Sequence, residues 1–338
     1  MTSMQYNTTI KTEEAIDLVK STFSKALISN LHLHRISSPI SILDGTGIND
    51  DLNGIERPVK FPIKALQDKK AVIVQSLAKW KRIRLKELNI PVGKGILTDM
   101  RALRPDEDFS PIHSIYVDQW DWELHISPQN RSLSFLKQIV KNIYRALQLT
   151  ELAVFEKDPQ LKPSLPDEIT FIHAETLLKK FPDLSPKQRE TEVARLFGAV
   201  FIIGIGETLS NGEPHDGRAP DYDDWTTENE EGFKGLNGDI ILWNPVLKSA
   251  FEISSMGIRV NAETLNLQLI KRNCEEKRNL IYHQQLLNNE LPTSIGGGLG
   301  QSRVCMFMLK KRHIGEVQVG IWPSDERQRL EKQGIYLL

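Results

Sequence analysis

The chain has 338 residues, 40% of them hydrophobic, with 43 basic against 44 acidic side chains and a net charge of −1. This is ample for the core of one large domain or two average ones, and it lacks the basic excess with which nucleic-acid-binding proteins neutralise phosphates. Cys274 and Cys305 have no CxxC or Cys/His spacing, which argues against a disulfide framework or a zinc site, and no basic-flanked leader or membrane-length apolar run is present, so a cytoplasmic protein is expected.

Residues 1–11 read as a disordered extension. Thr12 can then cap a helix with Glu13 and Glu14 in its first turn and an apolar stripe of Ile16, Val19, Phe23 and Leu27. Pro39, in LHRISSPISI, cannot donate to a sheet ladder and belongs at the end or edge of an extended segment. LDGTGINDDLNG, at 43–54, is dense in Gly, Asn and Asp and reads as a loop. Strands are expected at 72–75, 95–103 and 115–123, the last two joined by the polar RPDEDFSPIHS, and an amphipathic helix at 132–155. FPDLSPKQRE marks a turn and a helix start. AVFIIGIG, at 199–206, is a continuous apolar run that suits a strand buried on both faces. The charged, turn-rich stretch 212–235 is expected to be an active-site loop, since loops of that length in compact domains are usually functional or disordered.

Several segments carry residues suited to chemistry. Strand alternation puts Gln119, Asp121 and Glu123 on one face and Tyr116, Asp118, Trp120 and Trp122 on the other. An amide beside a carboxylate suits an α-ammonium group, which only donates hydrogen bonds. Arg104 ends the preceding strand, and its planar guanidinium can hold two phosphate oxygens. In FEISSMGIR, at 251–259, alternation sets Glu252 with Ser254 and against Phe251, Ile253 and Ser255; a carboxylate in so apolar a strand calls for charged partners. Glu252 and Asp239 are candidate metal acids, because Mg²⁺ takes few carboxylates alongside phosphate and water oxygens. IGGGLGQSRVCMFML reads as a glycine turn, able to approach a flat ligand closely, followed by a helix. No GxxxxGK[ST] occurs and no βαβ context supports a dinucleotide site. Taken alone, Lys79 and Lys81 read as surface lysines.

SLAKWKR (76–82), RALRPDED (101–108), YVDQWDWE (116–123), APDYDDW (219–225), LNGDIILWNPV (236–246), FEISSMGIR and IGGGLGQSR (295–303) together resemble the catalytic half of the class II aminoacyl-tRNA synthetases that handle aspartate and asparagine. Within that fold the chain is most similar to the ammonia-dependent asparagine synthetases, from Leu31 to Trp322. The resemblance implies an α/β (α+β) fold: a single class II aminoacyl-tRNA synthetase-like catalytic domain over 1–338, with a mainly antiparallel sheet flanked by helices. No anticodon-binding domain is expected, and a homodimer would form through the N-terminal helix and the Pro39 segment.

The same resemblance assigns roles. L-Aspartate would be held by Lys81, Gln119, Asp121, Ser255 and Arg259. ATP and its AMP portion would be held by Ser76, Arg104, Asp239, Glu252, Gly298 and Arg303, with Mg²⁺ on Glu252 and Asp239. Arg104 would act on the α-phosphate, and Asp50 or Asp223 would take the proton of ammonium. The implied reaction joins aspartate and ammonia through β-aspartyl-AMP, with release of AMP and pyrophosphate; with no cysteine near the N-terminus to release ammonia from glutamine, free ammonia is the expected donor, and neither nucleic acid nor membrane is expected as a partner. An enzyme that charges tRNA and a non-catalytic synthetase-like protein are the alternatives.

Overall fold

The computed structural model describes residues 3–50, 52 and 56–338. In chain order the elements are α1 (Ser3–Leu31), β1 (Leu33–Arg35), β2 (Ser41–Leu43), β3 (Lys60–Ile63), β4 (Lys69–Ile73), α2 (Ala78–Glu87), β5 (Gly95–Leu103), β6 (Tyr116–His125), α3 (Leu133–Lys157), β7 (Thr170–His173), α4 (Ala174–Lys180), α5 (Pro186–Phe197), β8 (Ala199–Ile203), β9 (Asn237–Asn244), β10 (Ser249–Ile258), α6 (Ala262–Lys271), α7 (Ile281–Leu287), β11 (Ser294–Gly300), α8 (Gln301–Met308) and α9 (Ser324–Lys332). Eight strands form one sheet in the order β1-β5-β6-β11-β10-β9-β8-β7. The outer pairs β1/β5 and β7/β8 are parallel and every pair between them is antiparallel. A separate small sheet has the order β2-β4-β3.

The two faces of the large sheet bury different things. On one, α1, α3 and α8 pack over Trp120, Trp122, Phe251, Met256 and Leu299, with Phe23 of α1 set 4.5 Å from the Trp120 ring. The expected stripe Ile16, Val19, Phe23 and Leu27 is buried there. On the opposite face, Leu177 of α4 and Val193 of α5 cover the β7–β9 end through Val200, Ile202 and Ile241. A second cluster on α2, α6 and α7, with Ile83, Leu265, Leu269 and Tyr282, packs near Val260, where the chain leaves β10. The middle of that face, on β6, β11, β10 and β9, carries the polar residues described below. β8 is buried on both faces, as its apolar run requires.

Two local expectations need correction. The first helix starts at Ser3, so Thr12 lies inside it and residues 3–11 are helical; no Pro or Gly in that stretch interrupts the backbone. Of the residues expected as a disordered extension, 1–2 lie outside the described residues. The glycine run is a strand, β11, paired on both sides, and the helix begins after it at Gln301. The stretch 212–235, expected to be an active-site loop, is packed in its middle: Ala219, Asp221, Asp223, Asp224 and Trp225 are buried. Its backbone is pinned by Asp224 N to Ile258 O, Val260 N to Tyr222 O, and the Gln268 amide to Pro220 O and Asp223 O. The capping box on Ser185 with Pro186 at the first turn of α5 matches the expected helix start.

Candidate active site

The floor of the site follows from strand alternation across four strands. Gln119, Asp121 and Glu123 of β6 stand opposite Gly300, Gly298 and Gly296 of β11, while Trp120 and Trp122 point into the helical core. The alternate glycines are required by the space: a Cβ on Gly296 would lie 1.8 Å from Glu123 Oε2, and one on Gly298 would lie 2.3 Å from Gln119 Oε1. On β10 the register against β9 shifts between Glu252 and Ser254. This bulge changes the phase of the strand. Ser254 therefore pairs with Ile240 and Leu299 on the core side, and Ser255, not Ser254, joins Glu252 on the site face, opposite Asp239 and Gly298.

Above this floor is a cavity of about 210 Å³. It brings together Asp50, Ser76, Lys81, Arg104, Gln119, Asp121, Asp223, Glu252, Ser255, Arg259 and Gly298, so the expected aspartate residues and most of the expected ATP residues share one space. An adjoining cavity of about 250 Å³ shares Arg104, Gln119, Glu252, Ser255 and Gly298 and adds Arg303 and His113.

Charge in the first cavity is arranged in linked pairs. Lys81 is buried and donates to Asp121 and, at 2.8 Å, to Gly297 O; burial pulls its pKa down and Asp121 opposes that pull. Arg259 reaches Glu123 at 2.7 Å and Asp223 at 2.5 Å, and Ser294 Oγ donates to Glu123 at 2.7 Å. Burial disfavours the Glu123 carboxylate, but Arg259 outweighs it and holds the group below the usual carboxyl range. For Asp223 the balance falls the other way: burial raises its pKa against the pull of Arg259 and Arg218. Arg259 was expected to face a substrate carboxylate, yet its guanidinium is already answered by two protein acids.

Arg218 was not anticipated. Its guanidinium bonds Asp239 at 2.5 Å, donates to Ser255 Oγ and lies 3.5 Å from Asp223. The signal was present in the sequence, one residue before APDYDDW, but no period or spacing marks a loop arginine. Lys79 is also not a surface lysine: it is 2% exposed and 2.8 Å from Asp221. Asp50 is held by an amide exchange in which Asn49 bonds the Gln75 side chain and accepts from Gln75 N, with Leu52 N donating to Asp50 Oδ1.

The second cavity has a different character. Arg104 is half-buried, with Nη2 bonded to Gln75 O at 3.2 Å. Arg303, in the first turn of α8, bonds Glu252 O at 3.0 Å and the Nε2 of His113 at 2.9 Å. Burial and the Arg303 charge push His113 down to about 4, so its ring stays neutral and Nε2 accepts. Glu252 is raised by burial and by Asp239, with Arg303, Lys187 and Arg218 opposing. Ser76 Oγ accepts from Ala78 N at the start of α2 and lines the first cavity. Cys305, buried behind the sheet with its thiol pushed up to about 12 by burial, faces no part of the site.

Comparison with known proteins agrees with this architecture. The family model described as aspartate-ammonia ligase matches residues 10–334. The chain is 54% identical over 328 residues to an aspartate–ammonia ligase of Parabacteroides distasonis and 53% identical to one of Bacteroides thetaiotaomicron, each match covering 97% of this chain and 95% of the relative. Among solved structures, asparaginyl-tRNA synthetase from Pyrococcus horikoshii complexed with asparaginyl-adenylate superposes with a TM-score of 0.68 at 16% identity, over 93% of this chain and 70% of that one. The fold is thus that of class II aminoacyl-tRNA synthetases, and the chain belongs to the aspartate–ammonia ligase family.

Proposed function

We propose that the chain makes L-asparagine from L-aspartate, ATP and ammonia through β-aspartyl-AMP, releasing AMP and pyrophosphate. The observation that carries this reading is a single cavity in which an acid–amide corner, a cationic wall and a phosphate-facing arginine stand in succession. The α-ammonium of aspartate docks on Gln119 and on Asp121, whose Oδ2 is buried without a hydrogen-bond partner among the described residues. Lys81, released from Asp121, then takes a substrate carboxylate. The exchange leaves no buried charge alone, which is the condition for moving ions in a dry site. Arg218 and Ser255 complete that wall, and Arg259 keeps its acids in place.

Among the described residues Arg104 bonds Gln75 O and its Nε has no partner, which leaves its guanidinium for the α-phosphate. Its hold strengthens as charge builds on the pentavalent transition state, so the interaction lowers the barrier rather than only the KM. Arg303, with His113 behind it, orients the distal part of ATP. Glu252 and Asp239 lie on the same face of neighbouring strands, and the described residues include no group of three or more metal-ligating side chains. A sparse carboxylate set of this kind suits Mg²⁺, which when bound would offset the charge of the triphosphate.

Of the two candidate bases, our reading favours Asp50. Burial raises the pKa of both acids, but Asp223 faces Arg259 and Arg218, whereas Asp50 accepts a hydrogen bond from Leu52 N. A carboxylate held against two guanidinium groups is the poorer proton acceptor. Asp50 therefore binds ammonium and deprotonates it, and Asp223 anchors Arg259. Ammonia rather than tRNA is the acceptor. The protein works in the cytoplasm, in keeping with two free cysteines and an ATP-dependent reaction. It forms a homodimer through α1 and the Pro39 segment, where Ile40 is 62% exposed. The test is to supply aspartate, ATP and Mg²⁺ with ammonium, glutamine or tRNA in separate reactions. Ammonium-dependent asparagine with stoichiometric AMP is expected; ADP as product, or strict dependence on glutamine, would refute the reading.

A further inference from the structure

The first turn of α8, which carries Arg303, is capped from another strand. The leading N–H groups of a helix have no partner within it, and a Ser, Thr, Asp or Asn at the N-cap ordinarily answers one of them. Here the N-cap is Gly300, which has no side chain to do so. Space explains the glycine: a Cβ there would lie 3.2 Å from Arg303 Cβ and 3.4 Å from its Cγ and Cδ, so a capping side chain would crowd the arginine.

The missing cap comes from β6. Asp118, 6% exposed, accepts from Ser302 N at 3.0 Å through Oδ1 and from Lys20 Nζ of α1 at 3.1 Å through Oδ2. Gln301 is tied in the same way: its Nε2 donates to Asp99 Oδ1 of β5 at 2.8 Å, and Asp99 pairs with Arg35 of β1. Both residues before Arg303 are thus anchored to carboxylates that cations of α1 and β1 hold in turn. Gln318 Nε2 donates to Ser302 Oγ at 3.0 Å, which fixes the side chain of Ser302, whereas Asp118 answers its backbone. Asp118 also lines the second cavity, where Arg303 reaches Glu252 O and His113. A carboxylate on a helix N–H makes a charge-assisted bond, and this one lies a single residue from Arg303. Any tilt of the turn is magnified at the guanidinium, several bonds out along the side chain.

We propose that Asp118 is a positioning residue for the ATP-using half of the reaction: it caps α8 in place of Gly300 and so fixes the backbone from which Arg303 reaches the nucleotide. Asp118 acts through Arg303 and not on the nucleotide itself. This inference rests on the reading of Arg303 as an ATP ligand.

The experiment measures the Kd for ATP by calorimetry, with Mg²⁺ present, in wild type, Asp118→Ala, Asp118→Asn, Arg303→Ala and the double variant Asp118→Ala/Arg303→Ala. KM for aspartate is read beside it in the Asp118 variants by ATP–pyrophosphate exchange. Asp118→Ala should raise the Kd for ATP about tenfold, as for loss of one hydrogen bond to a charged group, and leave KM for aspartate at the wild-type value. Asp118→Asn keeps an oxygen for Ser302 N and should restore the Kd. Lys20, whose side chain is 34% exposed, turns to water in either variant, so no buried charge is stranded. In the double variant Asp118→Ala should add nothing to the rise caused by Arg303→Ala, because two residues that act as a unit give non-additive changes. Asp118→Val, which suits a strand and offers no acceptor, carries the same test if the alanine variant does not fold. An unchanged Kd for ATP in Asp118→Ala, an equal rise in KM for aspartate, failure of Asp118→Asn to restore the Kd, or additive rises in the double variant overturns the role of Asp118. A wild-type Kd in Arg303→Ala overturns the reading of Arg303 itself, whereas a raised Kd in Arg303→Ala beside an unchanged one in Asp118→Ala overturns only the inference about Asp118.

Discussion

Two glycines on β11 separate folding from substrate binding. An alanine at Gly296 would place its Cβ 1.8 Å from Glu123 Oε2 and 2.5 Å from Arg259 Nη2, where 3.4–4 Å is ordinary contact. Glu123 cannot easily move: it is fully buried, receives Arg259 at 2.9, 3.2 and 2.7 Å and Ser294 at 2.7 Å, and any shift strands part of a buried ion pair. Such a loss costs about 3–5 kcal/mol. Alanine recovers only ~0.5–1 kcal/mol through the stiffer unfolded chain. At a slope of about 3 kcal/mol per M in urea, the unfolding midpoint of Gly296→Ala should fall by roughly 1 M. At Gly298 the added Cβ would meet Gln119 Oε1 at 2.3 Å, the end of a half-buried side chain that can rotate away for ~1 kcal/mol. Gly298→Ala should unfold near the wild-type midpoint but lose the Gln119 bond to the substrate ammonium, raising KM for aspartate about tenfold, as expected for ~1.5 kcal/mol. A wild-type midpoint for Gly296→Ala would refute the packing argument, and an unchanged aspartate KM for Gly298→Ala would remove Gln119 from the aspartate site.

Other expectations follow from the same geometry. Arg104→Ala should keep the wild-type urea midpoint and lower turnover about 100-fold, the effect of removing one transition-state donor; near-normal turnover would take it off the catalytic list. Arg218→Lys keeps the charge but cannot span Asp239 and Ser255, so aspartate KM should rise about tenfold in steady-state assays. Because the Glu123 pKa is depressed in the folded state, its contribution is fully present above the unfolded value near ~4.3 and is lost as pH falls through the lower folded value. The stability gap between wild type and Glu123→Gln, from urea curves, should therefore be greatest around neutral pH and shrink below about pH 4; a gap that widens in acid would contradict the assignment.

The frame of the site was legible because strands impose a strict period. Alternation on β6 was enough to put Gln119, Asp121 and Glu123 on one face, and β5 runs over the expected residues. The bulge on β10 was not legible, since a local extra residue leaves no mark in the apolar pattern, and so Ser254 and Ser255 exchange faces. Glycines in succession suggest a turn, whereas here they clear space over side chains from two other strands, a reason visible only when those strands are in place. Arg218, Lys79 and Asp221 were hidden for a related cause: they come from a loop and a charged helix whose exposure is set by tertiary packing. A lysine buried at α2 looks the same in sequence as one in water.

The central claim is that the β-carboxylate of aspartate attacks the α-phosphorus of ATP. Aspartate labelled with ¹⁸O in the β-carboxylate, incubated with ATP, Mg²⁺ and ammonium, should pass one labelled oxygen to AMP and retain the other in the asparagine amide. Label in pyrophosphate or orthophosphate instead, or unlabelled AMP alongside asparagine, would contradict the account.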